Sequence, residues 1–392
     1  MKRVLIFSLA YYPSHVSGAE VAIKEITDRI DPSSVEFHMI THRFDTVGPK
    51  VEQIGNVHVY RVGFGGAYLS KILFIPLAAI KARTLDRVLH FDALWSMMTY
   101  MIFPAVLARA LSVPAPEIVT LQDGDPYEKV FERWFVCPLV WILDVGFRRA
   151  KVVQVISTYL AEWPAKRGYK GEVVMIPNGA SIPSAMEYPE EELDSLRRAH
   201  DIRDDEIVLL TVARLVHQKA QDIVIRSLPL LSPNIRYLVV GDGPNRAMLE
   251  NLAKELGVED RVAFTGQVDR TMTAKYRKIA HVFVLPSRSE GQGISFLSTM
   301  VSGLPMVATQ VGGIADFLFD AKKDPDKLTT GWAVDVDQPE EIANAVKDIL
   351  AHPKEAERVA ANAKELAHKK YSWDAIVKEM EEKVFLRAFT GE

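Results

Sequence analysis

The sequence predicts an α/β protein of two doubly wound, Rossmann-like domains facing each other across a cleft. Three observations carry that prediction. Short apolar runs recur along the 392 residues, stretches of helical length and helical periodicity separate them, and the alternation halts and restarts near the middle. Residues 4–7 are wholly apolar, as expected of a strand covered on both faces. A Ser17-Gly18 turn then opens a helix over 19–30. Apolar runs at 37–40, 57–62, 93–95 and 118–121 continue a parallel sheet, and those at 152–156 and 173–176 close it. Pro177-Asn178-Gly179 and the Pro-, Ser- and Glu-rich stretch 182–192 read as a linker. The pattern restarts at 207–212 and runs on through 236–240, 262–264, 282–285 and 306–308 to a short strand at 333–334. The tail 339–389 reads as helix, charged on one face. The first domain is thus expected over 1–182 and the second over 183–373.

Composition narrows the function class. At 48% hydrophobic and 25% charged residues the chain has the balance of a soluble globular protein. Its one cysteine, Cys137, excludes an intramolecular disulfide and a multi-cysteine metal site, and is expected as a small buried apolar residue between Val136 and Pro138. The net charge of −4 is divided between a net basic first half and a net acidic second half. There is no dense basic stripe of the kind nucleic-acid binding needs, so no nucleic-acid partner is expected. Met1-Lys2-Arg3 precedes an apolar run too short for a signal peptide, and no stretch reaches the roughly 18–20 apolar residues of a spanning helix. The expected compartment is the cytoplasm.

The chemistry concentrates between residues 280 and 313. A buried-strand pattern (280–285) leads through Ser287-Arg288-Ser289-Glu290-Gly291-Gln292-Gly293 into a helix starting near Ile294, and a second strand ends in Gly312-Gly313. Strand, glycine-rich turn and helix N-terminus together offer free N–H groups and a positive dipole end to a phosphate. Glu290 has the wrong charge for phosphate and the right one for accepting hydrogen bonds from hydroxyls. That combination suggests a sugar nucleotide. Arg214 and Lys219, just past the strand ending at Val212, suit a diphosphate leaving group whose charge grows as its bond breaks. Gly241 would admit a ligand beside the 236–240 strand, where Asp242 is expected as a helix cap, and Val268 and Gln267 lie where a base edge would be read. Gly18 can offer N–H groups to a phosphate. Asp123 and Asp125, past the 118–121 strand, would touch acceptor hydroxyls, hold a metal or form an Asx turn. A nicotinamide site is excluded by the lack of Gly-x-Gly-x-x-Gly, and no Gly-x-Ser-x-Gly is present. The histidines 38, 42, 58, 90 and 217 have no metal-ligand spacing.

Residues 68–83 mix apolar bulk with Lys71, Lys81 and Arg83, and Arg87 follows. Trp134, Phe135, Trp141, Phe147, Arg148 and Arg149 form a second aromatic and basic set. Such segments lie on anionic lipid, or are core helices with basic rims.

The order and spacing of several short motifs resemble glycosyltransferase family 4 over nearly the whole chain. They are Gly18-Ala19-Glu20, Ile176-Pro177-Asn178-Gly179, Ala213-Arg214-Leu215 with Lys219, and Val240-Gly241-Asp242-Gly243-Pro244. Phe264-Thr265-Gly266, residues 286–305, Gly312-Gly313 and Tyr371-Ser372-Trp373 complete the set. The resemblance implies the two-domain GT-B fold, with the segment 374–392 crossing back to the first domain. It also implies retaining, metal-independent transfer of a sugar from a nucleotide-sugar donor, with no cofactor. By position, Arg214 and Lys219 resemble the diphosphate pair. Glu290 resembles the first acid of the family's Glu-x7-Glu motif, and the amides of Gly293 and Ile294 resemble its phosphate or sugar contacts. Gln267 and Val268 would lie against the base.

This chain departs from the pattern in three places. Ser298 stands where the second acid, a ribose clamp, is expected; losing a charged bidentate acceptor is worth on the order of 1.5–3 kcal/mol of donor binding. Gln122, with Asp123 beside it, stands where many relatives carry a histidine near the sugar. Ala220 replaces the glycine after the diphosphate lysine. The expected acceptor is a glycan or lipid-linked saccharide, met at the inner face of the cell membrane. Two other readings stay open: a non-catalytic nucleotide- or glycan-binding pseudo-transferase, motivated by Ser298 and Gln122, and a sugar-nucleotide epimerase using Asp123.

Overall fold

The structure, a computed structural model, describes residues 1–13 and 16–390. The chain forms two compact units, residues 1–178 with 373–392 and residues 179–372. The sequence places the break slightly later, at 182/183.

The first unit is built on eight strands: β1 (Lys2–Phe7), β2 (Val35–His42), β3 (Val51–Ile54), β4 (Val57–Val62), β5 (Ala93–Met97), β6 (Glu117–Leu121), β7 (Val152–Val155) and β8 (Val173–Met175). They form one sheet in the order β3-β4-β2-β1-β5-β6-β7-β8. Every pairing is parallel except β3 with β4. Val4, Leu5, Ile6 and Phe7 are completely buried, because helices cover both faces of the sheet. β3 is absent from the sequence-based element list. Ile54 pairs with Val57 around a Gly55-Asn56 turn in which Gly55 takes a positive φ of 56°. The chain re-enters this unit at Trp373 through the helices Trp373–Met380 and Leu386–Phe389. Phe385 sits between Phe37 and Trp95, at ring-centroid distances of 5.8 and 5.2 Å. Residues 391–392 of the expected returning segment lie outside the described residues.

Helix Tyr68–Leu89 has two apolar faces. Phe74, Ala78, Ala79 and Ala82 enter the core with Leu5, Phe7 and Ile40, while the opposite face is exposed. In the second aromatic set Phe147 is buried, but Trp134, Phe135 and Trp141 are exposed. Cys137 is exposed as well, against the expectation of burial. It begins the short 3₁₀ turn Cys137–Leu139, which follows the surface rather than entering the sheet's covering layer. Among the described residues no helix is long and apolar enough to cross a membrane.

The second unit holds β9 (Ile207–Val212), β10 (Ile235–Val240), β11 (Val262–Gly266), β12 (Val282–Leu285), β13 (Met306–Thr309) and β14 (Trp332–Val334). They form a parallel sheet in the order β11-β10-β9-β12-β13-β14. Strand alternation sorts side chains into two cores. Leu209, Tyr237, Val282 and Val284 enter one, and Val208, Leu210, Leu238, Phe283 and Leu285 the other. β9 neighbours both β10 and β12, so the strand order reverses there, and loops leaving the carboxyl ends of β9 and β12 open away from each other. The stretch 182–192 is not an open linker. Ile182–Ala185 is a 3₁₀ turn and Glu190 starts the helix Glu190–Ala199.

Candidate functional site

At the end of β9 the chain passes Arg214, makes the 3₁₀ turn His217–Lys219 and enters helix Gln221–Ser227 through Ala220. Ala220 has φ 52°. A residue with a side chain is held there in the left-handed region at a cost of roughly 1–2 kcal/mol, which is the reason glycine is the usual occupant. Its methyl group is fully buried. At the end of β12 the loop 286–293 leads into helix Ile294–Ser302. Arg288 fastens the two loops together. Its guanidinium donates to both oxygens of Asp222 at 3.0 and 2.7 Å, to the His217 carbonyl at 2.7 Å and to Asp337 at 2.6 Å. Its backbone N–H donates to the Gln218 carbonyl at 2.7 Å.

This clamp brings Lys219 and Glu290 together, and the ammonium donates directly to the carboxylate. Glu290 is buried and the Lys219 side chain is 20% exposed. Glycines shape the carboxylate's seat. A Cβ on Gly312 (φ 56°) would stand 1.9 Å from the Glu290 carbonyl oxygen, and Gly313 donates its N–H to that oxygen at 3.1 Å. A Cβ on Gly293 (φ 86°) would meet the Phe296 ring at 2.5 Å and the Glu290 carboxyl carbon at 3.2 Å. Gly293 is the N-cap of helix Ile294–Ser302, so Ile294 opens that helix beside the acid. Ser295 Oγ donates to the Val212 carbonyl at 2.7 Å, tying the helix to the end of β9.

The remaining predicted positions divide. Arg214 is exposed; its carbonyl accepts from Val216 N at 3.0 Å and Gln221 Nε2 at 3.1 Å, and its guanidinium makes no ion pair among the described residues. Gly241 (φ 137°) makes room for the chain itself, since a Cβ there would lie 2.1 Å from the Ala213 carbonyl oxygen. Asp242 accepts from Gly243 N at 2.7 Å and caps no helix; the next helix starts at Arg246 with Asn245 at its N-cap. Val268 packs, half-buried, against the second core. Ser298 is buried, and its hydroxyl has two partners within the unit: it donates to the Ile294 carbonyl at 2.8 Å and accepts from Ser181 N at 3.1 Å.

In the first unit, Gly18 is the first residue of helix Gly18–Thr27. The Glu20 carboxylate already lies against this N-terminus, accepting from Ser17 N and Oγ at 2.7 and 2.5 Å. Gln122 Oε1 accepts from Asn178 Nδ2 at 3.0 Å. Asp123 is buried and accepts from Thr99 N and Oγ1 at 3.2 and 2.8 Å; burial pushes its carboxyl up to about 6. Asp125 pairs with Lys129 at 2.7 Å and Arg133 at 3.1 Å. Among the described residues no group of three or more His, Cys, Asp or Glu side chains is arranged to hold a metal.

Sequence reasoning missed Arg288, Ser295 and Arg277. Arg277 is buried on helix Arg270–Ile279, and its four hydrogen bonds, to Thr299, Ser184 and Ser295, all reach neutral oxygens at 3.2–3.4 Å. Burial pushes its guanidinium down to about 9. A basic residue on the inner face of an otherwise amphipathic helix was the available signal.

The two Rossmann-like α/β units have the GT-B class of fold. The profile described as "Glycosyl transferases group 1" matches residues 193–366. Over 326 residues, 78% of this chain and 70% of its relative, the sequence is 34% identical to the alpha-monoglucosyldiacylglycerol synthase of Streptococcus pneumoniae. It is 36% identical over 191 residues to an uncharacterized glycosyltransferase of Methanocaldococcus jannaschii, covering 48% of this chain and 47% of that one. The chain spans about half the length of the first curated relatives it matches. Among solved structures, Anabaena HepE in complex with UDP and glucose superimposes with a TM-score of 0.79 at 19% identity, covering 98% of this chain and 100% of that one. The chain belongs to the group 1 glycosyl transferases.

Proposed function

We propose that the chain is a retaining, metal-independent glycosyltransferase that moves a sugar from a nucleotide-sugar donor to a glycan or lipid-linked saccharide acceptor. The Lys219–Glu290 pair at the β9/β12 reversal carries this reading. One loop supplies a cation for the departing diphosphate and the other an acceptor for sugar hydroxyls. When the donor arrives, Lys219 exchanges its carboxylate partner for phosphate, and Glu290 is released to the hydroxyls. Arg214 adds a second cation, and the N-terminus of helix Ile294–Ser302 adds its positive dipole end.

In the transfer step the bond from the anomeric carbon to the diphosphate oxygen breaks. The bond to the acceptor oxygen forms on the same face, and the acceptor's proton passes to the departing phosphate. Glu290, released from Lys219, accepts hydrogen bonds from the sugar hydroxyls and positions the sugar rather than attacking it. The glucosyldiacylglycerol synthase named among the relatives supports a lipid acceptor.

Mass-spectrometric turnover of UDP-, GDP-, ADP- and dTDP-sugars, with a glycolipid mixture as acceptor, tests the reading. One donor should be consumed, with turnover lost in both Arg214→Ala and Glu290→Ala, unchanged in EDTA, and giving a product that keeps the donor's anomeric configuration by NMR. A donor that binds tightly and is never consumed would favour the pseudo-transferase, in which Ser298 and Gln122 have replaced working groups.

A further inference from the structure

Arg277 is buried on helix Arg270–Ile279 and makes no ion pair among the described residues. Its Nη2 donates to the carbonyl and hydroxyl of Ser295 at 3.4 and 3.2 Å. Its Nη1 donates to Ser184 Oγ and its Nε to Thr299 Oγ1, both at 3.3 Å. Every acceptor is neutral. A cation held out of water without a counter-ion costs free energy that an apolar side chain of the same volume would not. The place of the charge supplies a reason for it. Ser295 is the second residue of helix Ile294–Ser302, whose N-terminus opens beside Glu290. The guanidinium therefore stands within two helical turns, about 11 Å, of an anion at that N-terminus. Other cations nearby are paired or exposed. Arg288 is held by Asp222 and Asp337, Lys219 by Glu290, and Arg214 is exposed. Of these four, only Arg277 combines burial with freedom from a carboxylate. Its field crosses protein rather than solvent, so water and salt weaken it little. Burial lowers its pKa only to about 9, which leaves it charged at neutral pH.

We propose that Arg277 is an electrostatic determinant of diphosphate binding, a buried cation behind the helix N-terminus that attracts the donor's diphosphate without touching it. The same field favours the charge that grows on the diphosphate as the sugar leaves. The inference rests on the reading of the chain as a nucleotide-sugar transferase. An arginine that only braces the junction of Ser184, Ser295 and Thr299 would act through its hydrogen bonds, whatever the charge of the ligand. One that acts through its field affects ligands in proportion to their charge.

Calorimetric titration of the full chain with a ladder of ligand charge separates the two. The ligands are the nucleoside, monophosphate and diphosphate of uracil, guanine, adenine and thymine, together with inorganic pyrophosphate. Arg277→Gln should weaken the diphosphate that wild type binds at least about tenfold and its nucleoside less than about twofold, with the monophosphate between. Arg277→Lys loses the planar fork but keeps the charge, and near pH 6.5 it should stay within about threefold of wild type throughout. Thr299→Asp sets a carboxylate against the guanidinium and should reproduce the graded loss with Arg277 in place. That variant keeps the test decisive if Arg277→Gln fails to fold, and a circular dichroism melt checks each protein. An equal loss across the ladder, or Arg277→Lys as weak as Arg277→Gln, would overturn the proposal and leave the donor reading intact. Wild type that binds neither pyrophosphate nor any nucleoside diphosphate would overturn both together.

Discussion

Ser298 occupies the position at which the resemblance places a ribose-binding acid, yet its hydroxyl is engaged on both sides, by the Ile294 carbonyl and by Ser181 N. The side chain therefore holds residues 181–185 onto helix Ile294–Ser302. Arg277 serves the same junction through Ser184, Ser295 and Thr299. Ser298→Ala should leave Ser181 N without its acceptor and cost about 1–3 kcal/mol of stability. The donor KM should stay within about threefold of wild type, because the lost hydroxyl was already committed. A KM raised tenfold or more, equivalent to about 1.4 kcal/mol of binding, with an unchanged denaturation midpoint would instead give the hydroxyl to the ribose.

At the scale of the elements, a buried acid marks the pairing of β5 and β6. Glu117, the first residue of β6, accepts from Ser96 Oγ on β5 at 2.9 Å, and burial pushes its carboxyl up to about 8. A raised carboxyl penalises the ionised form in the folded state. Below the ordinary carboxyl range both folded and unfolded chains hold the proton, and Glu117 carries no penalty. From there up to about pH 8 the unfolded chain ionises first, so stability falls with rising pH. Glu117→Gln removes the titration while keeping an acceptor for Ser96. Its advantage over wild type should be small at pH 5 and grow to the order of a few kcal/mol at pH 8. Denaturation midpoints that keep a constant gap across this range would rule the penalty out.

The elements also show what the sequence could and could not say. Buried parallel strands such as 4–7 and 282–285 were legible because both faces are apolar. β3 was missed because its residues alternate between exposed and half-buried, although the Gly55-Asn56 turn beside it was a readable hairpin signal. The loop positions Lys219, Glu290 and Gly293 could be named from the sequence as candidates for phosphate and hydroxyl contacts. Their assembly was not, since Lys219 and Glu290 are brought together over 71 residues by Arg288, whose role depends on Asp222 and Asp337. Ser298 and Ser181, 117 residues apart, meet only through tertiary packing.

The chain as a whole carries two units threaded unequally. It leaves the first unit at residue 178, completes the second, and returns at Trp373 to finish the first. The first unit is consequently incomplete until the C-terminal segment has docked, whereas the second is contiguous in sequence. Phe385 fills the first between Phe37 and Trp95. Phe296 fills the second, with Phe283 and Phe317 at 5.7 and 5.9 Å. Each of these phenylalanines is essentially completely buried, so truncation to alanine should cost about 3–5 kcal/mol in the unit that holds it. Two compact units predict two unfolding transitions in denaturant. Phe385→Ala should lower one midpoint and Phe296→Ala the other, and a saturating nucleotide-sugar should raise only the transition that Phe296→Ala lowers, because ligand bound to a native unit stabilises that unit. One transition displaced equally by both variants would mean that the two units unfold as a single cooperative body.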